Sequence, residues 1–114
     1  MNWTNLSTEE LEREYSPSSM VGDIEPFISW YATESLRARN NDEVRLIADL
    51  SYGSNVEEKL DLFLPIRPTK SNDLPLLMFV HGGYWQQLSK NDHSFPATAW
   101  TTACLLYTSP SPRD

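Results

Sequence analysis

Residues 76–86, Leu76-Leu77-Met78-Phe79-Val80-His81-Gly82-Gly83-Tyr84-Trp85-Gln86, carry the strongest chemical signal in the chain. The apolar run Leu76–Val80, bounded by Pro75 and a glycine pair, reads as a strand buried on both faces. Two adjacent glycines at its end allow a sharp turn and a close approach of backbone to a ligand. Main-chain N–H groups aimed from such a turn can stabilise a developing oxyanion. The chemistry would be acyl transfer at an ester or amide carbonyl. The donors would be the N–H groups of Gly83 and Tyr84, with Gly82 beside them. One such donor is worth about 2.7–4 kcal/mol in the transition state. The competing reading is a purely structural turn, since a Gly-Gly pair alone is a weak signal.

The nucleophile that such a loop would serve is not in these residues, because the chain has no Gly-x-Ser-x-Gly. His81 invites a general-base role. In hydrolases built on that elbow, however, the base follows the nucleophile in chain order. His81 is therefore read as a brace that holds the loop by hydrogen bonding. Tyr84 and Trp85 are candidates for lining an acyl or leaving-group pocket, and Trp85 serves equally well as a core residue. His93 reads as a surface residue near a helix start. His81 and His93 have no further Cys or His nearby, which argues against a metal site. Asp49, Asp61, Asp73 and Asp92 read as surface, turn or capping residues. Trp3, Trp30 and Trp100 read as packing anchors.

The elements that must position this loop are legible as an α/β pattern. Ser7-x-x-Glu10 is a capping box, and Leu6 with Leu11 fits a hydrophobic staple, which predicts a helix over 7–15. Pro17 ends it. Asp23 is placed to cap a second helix over 24–39, with Ile24, Phe27, Ile28 and Tyr31 as its apolar stripe and Asn40-Asn41-Asp42 as its break. Val44–Leu50 and Leu60–Leu64 alternate as strands around Tyr52-Gly53-Ser54-Asn55, predicting an antiparallel hairpin. The strand 75–81 and a loop 82–91 follow. A helix from Asp92 or Ser94 then runs towards Ala103.

Composition limits the partners. Net charge is −7 and the isoelectric point about 4.7. This disfavours nucleic acid and anionic membrane surfaces. Mean hydropathy is −0.48, and no apolar stretch approaches the roughly 20 residues of a membrane span. Met1-Asn2-Trp3-Thr4-Asn5 lacks the basic and apolar regions of a signal peptide, so the expected location is cytoplasmic. The single cysteine, Cys104, excludes an internal disulfide framework.

Cys104–Asp114 reads as the translation of a sequencing-library adapter, and a natural disordered tail is the alternative. On the first reading residues 1–103 are the domain, and 104–114 are a non-native tail with no element after the last helix.

Four stretches carry a family resemblance: Tyr15-Ser16-Pro17-Ser18, Tyr52-Gly53, Leu60-Asp61-Leu62-Phe63-Leu64-Pro65 and His81-Gly82-Gly83-Tyr84-Trp85-Gln86. In that order they resemble the N-terminal part of the kynurenine formamidase (arylformamidase) family and its α/β-hydrolase relatives, over most of Tyr15–Ala103. The resemblance implies an incomplete α/β-hydrolase fold: two helices, a hairpin, a central strand, the oxyanion loop and the start of a helix. It implies hydrolysis of N-formylkynurenine to kynurenine and formate by a serine nucleophile, without a cofactor. Gly82, Gly83 and Tyr84 match the family's oxyanion loop. The elbow serine, the acid and the histidine would lie downstream of Ala103, so the 114 residues alone are expected to be inactive. In the family's usual strand order the strand at 75–81 lies between the fourth and fifth strands, both absent here, so the resemblance also implies unpaired ladder groups and an aggregation-prone edge. A carboxylesterase with the same loop is a close rival. A non-catalytic binding protein of the same fold and a truncated reading frame without a role of its own are the other readings. Oligomeric state is not legible.

Overall fold

The computed structural model describes residues 3–66, 73–82, 88–103 and 106–110. Helix α1 spans Thr8–Tyr15. Its capping box is complete: the Ser7 N–H donates to Glu10 Oε2 at 2.8 Å, and the Glu10 N–H donates to Ser7 Oγ at 3.2 Å. Two 3₁₀ turns flank α1, η1 over Trp3–Asn5 and η2 over Pro17–Met20, and η2 leads to α2, Glu25–Arg39. Asp23 Oδ1 accepts the Glu25 N–H at 3.0 Å, as its position suggests. The buried residues of α2 are Ser35 and Ala38, with Ile28 and Tyr31 half-buried on the same face, whereas Ile24 and Phe27 are exposed. The expected stripe is thus rotated towards the C-terminal half, where the helix meets the sheet.

Strands β1, Val44–Ser51, and β2, Lys59–Pro65, form the expected antiparallel hairpin. Ile47 faces Leu62 and Leu50 faces Leu60, so one extra residue bulges from β1. Asp49 takes a φ of 59° there, a left-handed conformation that Asp tolerates better than most residues. The bulge breaks the alternation read for β1. In β2 the buried face carries Asp61 and Phe63, both fully buried, and the leucines flanking them are half-buried.

Strand β3 is short, Leu76–Met78. Leu77 and Phe79 pack against the core, while Leu76, Met78 and Val80 are exposed. This corrects the reading of a strand buried on both faces, because alternation points these three side chains away from the helices. A 3₁₀ turn, η3, spans Lys90–His93, and helix α3 spans Ala97–Thr102. Pro96 separates them, where the sequence suggested one continuous helix.

Strand β4, Leu106–Pro110, closes the sheet in the order β1-β2-β4-β3. It runs antiparallel to β2 and parallel to β3, with Leu77 opposite Tyr107. The expectation that no element follows the last helix is therefore corrected, and β3 has a ladder partner on one edge. The core lies between one sheet face and the helices: Val44, Phe63, Ala97 and Tyr107, flanked by Leu46, Leu77 and Phe79. Tyr107 packs edge-on against Phe63 and donates its hydroxyl to the His93 carbonyl at 2.8 Å. Trp3, Trp30 and Trp100 are each substantially exposed rather than core anchors. Trp30 still packs on Phe95, with ring centroids 5.4 Å apart. No described helix is long and apolar enough to cross a membrane.

Candidate functional site

The chain leaves β3 through Phe79, whose N–H donates to the Thr108 carbonyl at 2.8 Å, and reaches His81 and Gly82 at the strand's C-terminal end. His81 is half-buried. Its Nδ1 lies 2.7 Å from the Gly82 carbonyl, a contact that requires Nδ1 to carry the proton. Nε2 is then left as a lone pair. It is buried and has no partner among the described residues. Gly82 is exposed, and a Cβ added there would meet no atom of the described residues within 4 Å. Gly83, Tyr84 and Trp85, expected to complete the oxyanion and pocket groups, lie outside the described residues.

His93 is buried, not on the surface. It sits in an aromatic box: Tyr31 at 5.6 Å, Phe79 at 5.7 Å and Phe95 at 6.2 Å between ring centroids. The fourth wall is His81, stacked at 5.7 Å with the planes 19° apart. Burial holds the His93 pKa below its ordinary value of 6.5, and the neighbouring His81 adds to that, against the raising effects of the Ser89 carbonyl and Asp92. No local pattern marks this burial, because the rings around His93 come from three separate segments.

A charged cluster that sequence reasoning missed joins β1, β2, α2 and η3. Asp61, read as a surface residue, is fully buried. Its Oδ1 accepts from Lys90 Nζ at 2.8 Å and from the Asp49 N–H at 2.9 Å, and its Oδ2 accepts from Arg39 Nη1. Lys90 Nζ also reaches Asp49 Oδ1 at 2.8 Å. Burial alone would push the Asp61 carboxyl up, but the hydrogen bonds from Lys90, Arg39 and the Asp49 backbone hold it below the usual carboxylate value. Lys90 holds Asp49 low in the same way, first through its hydrogen bond. Ser35 Oγ accepts the N–H groups of Ser94 and Phe95 at 3.0 and 3.1 Å, tying α2 to the turn after η3.

Asp92 does act as a cap, as expected: its Oδ2 accepts the Ser89 N–H at 2.8 Å. Asp73 is exposed, also as read. The Ser89-x-x-Asp92 spacing was the one available signal for η3. Among the described residues no group of three His, Cys, Asp or Glu side chains gathers where a metal could bind.

A sheet ordered β1-β2-β4-β3, with a His-Gly turn leaving β3, defines a mixed fold of the α/β-hydrolase type. Solved structures agree. A protein from Silicibacter sp. TM1040 with a provisional thioesterase assignment superposes with a TM-score of 0.69 at 30% identity, over 87% of this chain and 36% of that one. Esterase B from Lactobacillus rhamnosis shares the fold, with a TM-score of 0.58 at 14% identity over 90% of this chain and 33% of that one. No protein-family model matches the chain.

In sequence, the chain is similar to kynurenine formamidases. It is 39% identical to that of Danio rerio over 84% of its own length and 33% of the relative. For the kynurenine formamidase of Salmo salar the figures are 38%, 83% and 33%. The chain thus spans about a third of the length of the curated relatives it matches.

Proposed function

We propose that this chain is the N-terminal part of a serine hydrolase of the arylformamidase type, which cleaves N-formylkynurenine to kynurenine and formate in the cytoplasm. The observation that carries the reading is the turn at the end of β3. His81 Nδ1 holds the Gly82 carbonyl, and among the described residues nothing lies within 4 Å of where a Gly82 Cβ would be. The likeness to kynurenine formamidases supports the substrate class. In this mechanism a serine Oγ attacks the formyl carbon, and the N–H groups of Gly83 and Tyr84, with Gly82, bind the oxyanion. Collapse breaks the C–N bond, the arylamine leaves with a proton from the histidine, and water releases formate from the formyl-serine. His81 braces the loop, and Tyr84 and Trp85 line the pocket.

No step needs a cofactor. The 114-residue chain, lacking a Gly-x-Ser-x-Gly, supplies the loop but no nucleophile and has no activity alone. Residues 1–103 are the truncated domain, and 104–114 are a non-native tail whose residues 106–110 occupy the slot between β2 and β3.

The test is turnover of N-formylkynurenine by the full-length gene product and by the 114-residue chain. The full-length protein is active, its Gly83→Pro variant loses roughly 10²–10³-fold in kcat through the lost N–H donor, and the short chain is inactive. Turnover by the short chain, abolished in Gly83→Pro, contradicts this account. The esterase and thioesterase neighbours favour a second reading, a carboxylesterase with the same loop. Cleavage of short acyl esters without cleavage of the formamide would establish that reading instead.

A further inference from the structure

Asp61, Lys90, Ser94 and Arg39 close a ring of hydrogen bonds that joins three segments of the fold. Lys90 Nζ donates to Asp61 Oδ1 at 2.8 Å. Ser94 Oγ donates to the Lys90 carbonyl at 3.1 Å and accepts from Arg39 Nη1 at 3.2 Å. Arg39 Nη1 also donates to Asp61 Oδ2, which completes the ring. Lys90 is the first residue of η3 and Ser94 its C-cap, so the turn is fixed at both ends to β2 and α2. Asp49 Oδ1 and Asn91 Oδ1 accept from Lys90 Nζ at 2.8 and 3.3 Å, so each of its three N–H donors has an acceptor. Asp61 and Ser94 have no solvent contact.

A buried ion cluster is a poor means of adding stability, since apolar side chains of similar volume commonly stabilise as well or better. Backbone strain gathers at the same place. Asp49 and Leu88 are the non-glycine residues with left-handed φ among the described residues, at 59° and 66°. The Asp49 N–H donates to Asp61 Oδ1, and Leu88 lies two residues before Lys90. Such conformations persist where the surrounding contacts over-determine them. His93, the last residue of η3, stacks on His81 with ring centroids 5.7 Å apart. His81 Nδ1 in turn donates to the Gly82 carbonyl at 2.7 Å.

We propose that Asp61 and Lys90 are positioning residues, which set the place of the Gly82 turn by fixing η3 and, with it, the His93 ring on which His81 rests. The contacts run without a break from the Asp61 carboxylate to Lys90, along η3 to His93, across the stack to His81 and on to Gly82. His93 is a firm support. Tyr107 holds its carbonyl, and Tyr31, Phe79 and Phe95 wall its ring. That the positioned turn serves acyl transfer rests on the hydrolase reading.

Lys90→Met is the test. It keeps the apolar stem of the side chain and leaves Asp61 bonded to Arg39 and to the Asp49 N–H. NMR of the folded 114-residue chain should show the His81 ring protons losing the shift that the His93 ring imposes, and the Gly82 amide moving with them. A loss of stability alone would lower the unfolding midpoint and leave these native-state signals in place. In the full-length protein the same substitution should lower kcat on N-formylkynurenine roughly 10²-fold with KM unchanged, since a misplacement of about 1 Å costs that much. Unmoved His81 and Gly82 signals in folded Lys90→Met overturn the proposal, as does an unchanged kcat. Should Lys90→Met not fold, Ser94→Ala, which opens the ring at one hydroxyl, decides by the same signals. A full-length protein inactive on formamide and ester alike overturns the hydrolase reading, and the NMR signals alone then decide the positioning.

Discussion

Lys90 Nζ and Asp61 Oδ1 meet at 2.8 Å in a place where Asp61 has no solvent contact and the Lys90 side chain almost none. Asp61 sits opposite the bulge in β1, and Lys90 opens η3, seven residues after Gly83. The pair therefore joins the hairpin to the segment that follows the His-Gly-Gly turn. Arg39 brings the end of α2 to the same carboxylate.

Removing that carboxylate leaves buried Lys90 and half-buried Arg39 without their shared partner. Asp61→Asn should cost about 3–5 kcal/mol of stability, read as a lower urea midpoint of the chain. The pH dependence has a definite sign. The folded pKa of Asp61 lies below its ordinary value of 3.8, so its contribution is fully present above that value and is lost as pH falls through the folded pKa. Acid unfolding of Asp61→Asn should be correspondingly less steep below pH 3.8. Equal stability of the two chains at neutral pH would show that the cluster is not formed in solution.

Ser35→Ala should destabilise the chain although it removes a single oxygen. The N–H groups of Ser94 and Phe95 both lose their acceptor. Each buried donor left unpaired costs roughly 1–3 kcal/mol. Ser35→Thr, which restores the hydroxyl, separates this cause from packing if its methyl is accommodated. Hydrogen exchange at the Ser94 and Phe95 amides is the direct readout, with faster exchange expected in Ser35→Ala.

His93 makes a prediction of the same kind. Its folded pKa lies below 6.5, so its contribution is complete above that pH and declines as pH falls from 6.5 through the folded pKa. Thermal midpoints should drop over that interval, and His93→Phe should flatten the drop. A midpoint independent of pH across the interval in the unmodified chain would contradict the buried, neutral placement.

Much of the architecture was legible because it is encoded locally. The capping box of α1, the bounds of α2 and the hairpin each depend on residues a few positions apart. The Leu76–Val80 strand was readable as a strand, but its second covered face was not, because covering is a property of what packs on it. Asp61 was misread for a related reason. Alternation in β2 offers two faces, one of leucines and one of Asp61 and Phe63, and the more apolar face was the natural choice for the core. The structure buries the other, since Arg39 and Lys90, 22 and 29 residues away, supply the charges that make an Asp tolerable there. His93 likewise needed walls from α2 and β3 before its burial could be seen.

Strand β4 tests the division at residue 103. Tyr107 is fully buried between Phe63 and Phe79. Tyr107→Ala should cost about 3–5 kcal/mol, the usual range for deleting a buried aromatic ring. A chain ending at Ala103 should lose the cooperative melt altogether, because it also loses the ladders to β2 and β3. A melt unchanged by either alteration would mean that residues 106–110 do not occupy the sheet in solution.

On the proposed function, residues 1–103 open a serine hydrolase whose catalytic residues are encoded further along its gene. Sequencing the source gene or transcript across codons 103 and 104 checks this. The expected result is a reading frame that departs from the Cys104–Asp114 codons after Ala103 and continues to a Gly-x-Ser-x-Gly. Codons for Cys104–Asp114 followed by a stop in the source gene would contradict it, and a non-catalytic role for the folded chain would take its place.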